Sequence, residues 1–98
     1  MRLVVREVCP NSRVFRQDGA RLRSAIETAW EKHDTVEVDF ANETIASISF
    51  LDEGIAVLLV DHPAEVVRQR LRFVGLTDAD RRQLNVLVAK RRAQPTAA

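Results

Sequence analysis

Val36-Glu-Val-Asp-Phe-Ala-Asn-Glu-Thr-Ile-Ala-Ser-Ile-Ser-Phe-Leu-Asp-Glu-Gly-Ile-Ala-Val-Leu-Leu59 is the stretch whose apolar period changes midway. From Thr35 to Phe40, the apolar Val36, Val38 and Phe40 alternate with Glu37 and Asp39, which is the period of a half-buried strand. From Ser49 on, Leu51, Ile55, Leu58 and Leu59 share one helical face, and Asp52 and Glu53 occupy the first turn, where acids suit the positive helix end. A strand followed closely by a helix predicts an α/β layer structure.

Working outward, Leu3, Val4, Val5 and Val8 form a β-branched run closed by Cys9-Pro10-Asn11-Ser12, which predicts a first strand. Val14 and Phe15 predict a short second strand, paired with the first as a hairpin. Leu22, Ala25, Ile26, Ala29 and Trp30 recur at helical spacing, with Asp18 or a neighbour to cap, and predict a helix over 18–32. His62-Pro63 interrupts the helix from Ser49, and a separate helical turn starts near Pro63. Arg70 to Val74 alternates like a strand that Gly75 ends. Thr77 caps a last helix over 78–92, and 93–98 reads as a frayed tail. The expectation is one domain over 1–98, a mixed sheet of about four strands with helices packed against it.

Ninety-eight residues, 46% hydrophobic and 30% charged with three Gly and three Pro, have globular proportions, which excludes collagen-like and low-complexity chains. The longest apolar run, Ile55 to Val60, is far too short to cross a bilayer. The opening Met-Arg-Leu-Val-Val-Arg lacks the order of a secretion signal, and one cysteine cannot form an intrachain disulfide. These features predict a soluble cytoplasmic protein. A chain this small has little core to give up to an enclosed active site, so a binding or regulatory module is expected and no enzyme.

Charge is segregated along the chain. Residues 1–26 carry +4, residues 27–61 carry −8 and residues 62–98 carry +5, within a total of +1. Opposite charges could form two faces that steer a partner or pair two copies as a homodimer, or they could neutralise each other when the chain folds back. Thirteen of the fifteen basic residues are Arg, which suits bidentate contacts to carboxylate or phosphate.

The stretch from Val36 to Leu59 resembles the STAS fold family, which includes the bacterial anti-sigma-factor antagonists. The strand ending Asp39-Phe40, the short polar link, the Ser47 and Ser49 pair and the following helix carry the likeness. It is closer to the STAS-like family of unknown function, whose Ser-Phe-x-Asp-Glu signature matches Ser49-Phe50-Leu51-Asp52-Glu53. Arg16 and Leu71-Arg-Phe-Val-Gly-Leu76 also look like that family's pattern. The resemblance implies a regulatory domain that docks an ATPase-like or kinase-like protein through the helix starting at Ser49, with phosphorylation of a serine as the switch. Aligned from Asp39, the serine that antagonists phosphorylate falls on Ile48, its neighbours fall on Ser47 and Ser49, and Asp39 matches the family's strand-end acid.

The partner-binding and switch candidates are therefore Asp39, Ser47, Ser49, Phe50, Asp52 and Glu53, with phosphorylation at Ser47 or Ser49. Ser49 also suits an N-cap, and Phe50 is the aromatic anchor if it points outward. A phosphate beside Asp52 and Glu53 would meet repulsion, so modification would release a partner rather than recruit one. Asp39, Asp52 and Glu53 could alternatively form a Mg²⁺ cluster, but no phosphate loop accompanies them. His33, His62 and Cys9 lack metal-ligand spacing, so no metal and no cofactor is expected. A nucleic-acid module using Arg81, Arg82 and Arg92 is the alternative function, although aromatic interleaving is missing and the acidic middle would repel a polyanion.

Overall fold

The computed structural model describes residues 1–94. Its elements are β1 (Arg2–Val4), α1 (Val5–Val8), α2 (Arg16–Trp30), β2 (Val36–Asp39), α3 (Ile48–Leu51), a π-helical turn (Asp52–Ala56), α4 (Val57–Asp61), α5 (Ala64–Arg70), β3 (Leu71–Val74) and α6 (Asp78–Ala93). The expected tail is helical as far as Ala93, and its residues 95–98 lie outside the described residues.

Among the described residues the sheet has three strands, in the order β1-β2-β3, and both pairings are parallel. This corrects the expectation of a mixed, four-stranded sheet. The hairpin does not form, because Val14 lies in a bend and Phe15 immediately precedes α2. The run from Leu3 to Val8 divides after Val4, where β2 has no further residue for β1 to pair with. Glu37 turns its N–H to β1, bonding the Met1 carbonyl at 2.8 Å, but Ala41, the next residue beyond β2 on that side, gives its N–H to the Asp39 carboxylate at 2.7 Å, and the first chain satisfies its backbone by a helical turn, Cys9 N–H to Val5 O at 2.9 Å.

Register places Leu3, Val38 and Phe73 side by side, and Val36 beside Leu71. Parallel neighbours in register point to the same face, so these residues line the core with Val36, Val38 and Phe40 fully buried. The opposite face carries Arg2, Glu37 and Arg72 in one row and Val4, Asp39 and Val74 in the next.

The core between the sheet's apolar face and the helices is filled by Leu22, Ile26, Phe50, Leu51, Ile55 and Leu58. Helix α2 crosses the π-helical turn at Gly19 and Gly54. A Cβ on Gly19 would stand 2.6 Å from the Phe50 carbonyl oxygen and 2.9 Å from the Gly54 nitrogen, so only hydrogen fits there. Helix α2 begins two residues before the predicted position, and Asp18 caps it from inside by accepting the Phe15 N–H at 3.1 Å. Helix α6 starts as predicted, with the Thr77 hydroxyl accepting the Asp80 N–H at 3.3 Å.

Candidate functional site

The segment 41–47 leaves the C-terminal end of β2 and leads into α3, at the end of a parallel sheet where α/β folds place their sites. Its backbone is unusual. Ala41, Asn42 and Ala46 have φ of 55°, 60° and 58°, in the left-handed region that residues with a Cβ enter at a cost of about 1–2 kcal/mol each.

Three anchors hold that path. Asp39 accepts the Ala41 N–H at 2.7 Å, and the Gly75 carbonyl accepts the Asn42 N–H at 2.9 Å. Asp80, only 1% exposed in the first turn of α6, accepts the N–H groups of Ile45 and Ala46 at 2.6 and 3.0 Å. Gly75 has φ of +66°, and a Cβ there would come within 2.8 Å of the Asn42 nitrogen, so glycine is required where the two loops meet.

The segment delivers Ser47 to the start of α3. Ser47, not Ser49, is the N-cap: its hydroxyl accepts the Phe50 N–H at 3.2 Å and donates to the Val14 carbonyl. This corrects the helix start by two residues. Ser49 lies half-buried inside the first turn. The Ser47–Val14 bond draws the segment before α2 against the start of α3, and three large apolar side chains are left in solvent around it: Phe15 at 58%, Val14 at 54% and Ile48 at 51% exposure.

Phe50 is completely buried in the core, which corrects its expected role as an outward anchor. At the third position of a helix that starts at Ile48, its ring turns inward beside Leu51. The condition for an anchor, an outward side chain, is met near Ser47 by Ile48, Val14 and Phe15 and not by Phe50. Ile48 gave no signal of exposure, because at three and seven residues before Leu51 and Ile55 it has the spacing of the same helical face. Val14 and Phe15 carried none, because a lone apolar pair reads equally well as a short strand.

One turn further, Asp52 is 7% exposed and gripped from two sides. Arg91 of α6 bonds it through Nε at 2.7 Å and Nη2 at 2.8 Å, and Arg16 of α2 bonds it through Nη1 at 2.9 Å. The Arg91 fork, burial opposing it and Arg16 assisting, holds the Asp52 carboxyl below the usual carboxylate range. Glu53 is paired less closely, with Arg16 and Arg23 each at 3.6 Å. Arg91 was missed as a site residue, although an Arg in register with Leu84, Leu87 and Val88 signals a buried ion pair.

Asp39 lies on the other face of the sheet, where Arg2 contacts its second oxygen and, by that hydrogen bond, lowers its pKa. Asp39 and Asp52 thus have separate cationic partners. Among the described residues no group of three His, Cys, Asp or Glu side chains is placed to hold a metal. Cys9 is buried, and burial raises its pKa.

The segregated charges meet inside the molecule. Besides these pairs, Arg6 and Arg13 reach Glu43, and Arg23 reaches Glu27. These pairs join basic flanks to the acidic centre within one molecule. Arg81, Arg82 and Arg92 are exposed on α6, with Arg82 about 100° round the helix from Arg81.

No helix among the described residues is long and apolar enough to cross a membrane. The family model described as a STAS-like domain of unknown function matches residues 18–81, a span that contains β2, the left-handed segment, Ser47 and Asp80. Neither a curated protein nor a solved structure matches the chain significantly.

Proposed function

The chain belongs to this STAS-like family, and on that premise we propose that it is a regulatory docking module whose product is a protein contact and not a chemical step. The contact surface is the rim formed by Val14, Phe15 and Ile48 around Ser47. The observation that carries this reading is the exposure of three large apolar side chains at one place, beside a strained segment held by a buried carboxylate. Exposed apolar groups grouped this way mark interaction sites, and aromatic residues such as Phe15 supply the anchors.

Ser47 is the switch. An ATPase-like or kinase-like partner would transfer the γ-phosphoryl group of ATP to Oγ, with loss of the hydroxyl proton and release of ADP. The phosphorylated oxygen has no proton to donate, so the bond to the Val14 carbonyl is lost. The Val14–Phe15 segment then parts from Ile48, and the rim no longer presents one surface. Release follows from that lost bond. Repulsion by Asp52 and Glu53 contributes less than the sequence alone suggests, because Arg16, Arg23 and Arg91 already neutralise them.

The test is affinity purification from the source cells after nuclease treatment, comparing the wild-type chain with Ile48→Asp and Ser47→Asp. The expected result is a stoichiometric ATPase-like or kinase-like protein on the wild type, reduced at least tenfold on both variants. Equal recovery on all three would refute the rim as the contact.

A further inference from the structure

Away from that rim, at the β3 edge of the sheet, a cavity of about 320 Å³ opens between α6 and the end of the core. Leu59, Phe73, Leu76 and Leu84 line it, and Arg81 and Arg92 belong to its border. A second cavity of about 240 Å³ shares Leu59 and Arg92 with the first and adds Val67 and Arg68. The two form one groove.

The cations on this groove have no strong counter-ion. Among the described residues Arg81 and Arg92 take part in no ion pair, and Arg68 has only Glu65 at 3.5 Å, with both side chains more than 70% exposed. Arg91, one residue from Arg92, is instead committed to Asp52. Arg81 and Arg92 lie eleven residues apart, which returns to nearly the same helix face about 16 Å further along. Between them runs apolar wall, from Leu84 to the half-buried Leu59 and Val88.

An apolar trough with guanidinium groups at its border has the chemistry of an amphiphile site. A polyanion such as nucleic acid would leave the apolar wall unused and would find few phosphate partners here. The first cavity alone reaches the lower range of small-ligand sites.

We propose that this groove binds a single-chain anionic amphiphile, its carboxylate between Arg92 and Arg68 and its hydrocarbon along Leu59 towards Phe73 and Leu76. Two arginines can meet a carboxylate with charge-assisted hydrogen bonds. The apolar body covers side chains that the β3 edge otherwise leaves partly in water.

Isotope-labelled full chain is titrated with sodium dodecanoate below its micelle-forming concentration and followed by amide NMR shifts. Dodecyltrimethylammonium serves as the cationic amphiphile of equal chain length, and a thymidine oligonucleotide as the polyanion. The expected result is saturable one-to-one binding of dodecanoate, with shifts centred on Leu59, Phe73, Leu76 and Val88. The Arg68→Gln, Arg92→Gln double variant, whose altered side chains are exposed, should melt like the wild type and bind at least tenfold more weakly. Equal binding of both amphiphiles, shifts spread through the whole core, or movement of these amides only by the oligonucleotide would each overturn the assignment.

Discussion

At the end of the sheet where the strands begin, Arg70 and Trp30 tie the close of α2 to the start of β3. Arg70 donates to the carbonyls of Trp30, His33 and Asp34 at 2.7, 3.0 and 2.9 Å, and so satisfies groups that the end of α2 leaves open. Trp30 returns the bond, Nε1 to the Arg70 carbonyl at 2.9 Å, and the His62 ring meets it edge-on at 4.9 Å. At the end where the strands finish, the backbone runs through three left-handed residues and leaves Val14, Phe15 and Ile48 in water. One end spends its aromatic and guanidinium groups on stability. The other accepts strain and apolar exposure, which folding alone does not require and a partner would use.

The comparison can be broken at either end. The largest effect belongs to Trp30→Ala, which should lower stability by about 3–5 kcal/mol in chemical denaturation. Partner binding per folded molecule should stay unchanged. A loss of binding at full folding would show that the two ends are not separable.

Asp80→Ala is next. It leaves the Ile45 and Ala46 N–H groups unpaired and should cost about 2–3 kcal/mol. Unlike the Trp30 change, it should also weaken docking, because it releases the left-handed segment. Hydrogen exchange at Ile45 and Ala46 measures this directly, and unchanged protection there would contradict the clamp.

Acid sharpens the contrast further. The folded-state pKa of Asp52 is depressed, chiefly by Arg91, so its stabilisation is complete above the ordinary aspartate value of about 3.9 and is lost as pH falls through the lower folded value. Denaturation midpoints followed downward from pH 5 should therefore fall more steeply for the wild type than for Asp52→Asn. Parallel curves would mean that the Arg16–Asp52–Arg91 cluster adds nothing to folding.

The smallest effect on stability, and the largest on function, is expected from Phe15→Ser with Ile48→Ser. These exposed positions should change folding by less than about 0.5 kcal/mol each. Binding should nevertheless disappear.

The same contrast explains what was legible in the sequence. Strand β2 and helix α6 could be read because their apolar periods face a single core, and Thr77 caps α6 as its type suggests. Family membership was readable from the Ser49-to-Glu53 signature with Arg16, and three residues of that pattern, Arg16, Asp52 and Glu53, meet in one ion-pair cluster. The helix start was misplaced because Ser49 suits an N-cap as well as Ser47 does, and only the fold brings the Val14 carbonyl to the Ser47 hydroxyl. The strand at Val5 to Val8 failed because β propensity needs a partner strand, and none continues there. Asp80 was hidden for the opposite reason. Its local role as an N-terminal helix acid is so ordinary that its long-range grip on 45 and 46 leaves no trace in sequence.

The central claim is that the strand-finishing end is the contact. A photo-crosslinking amino acid placed at position 15, at position 48, or at the exposed Val86 of α6 as a control, in the source cells, tests it most directly. The prediction is one crosslinked protein from positions 15 and 48 and none from 86. The same adduct from Val86 alone, or from all three positions equally, would contradict it.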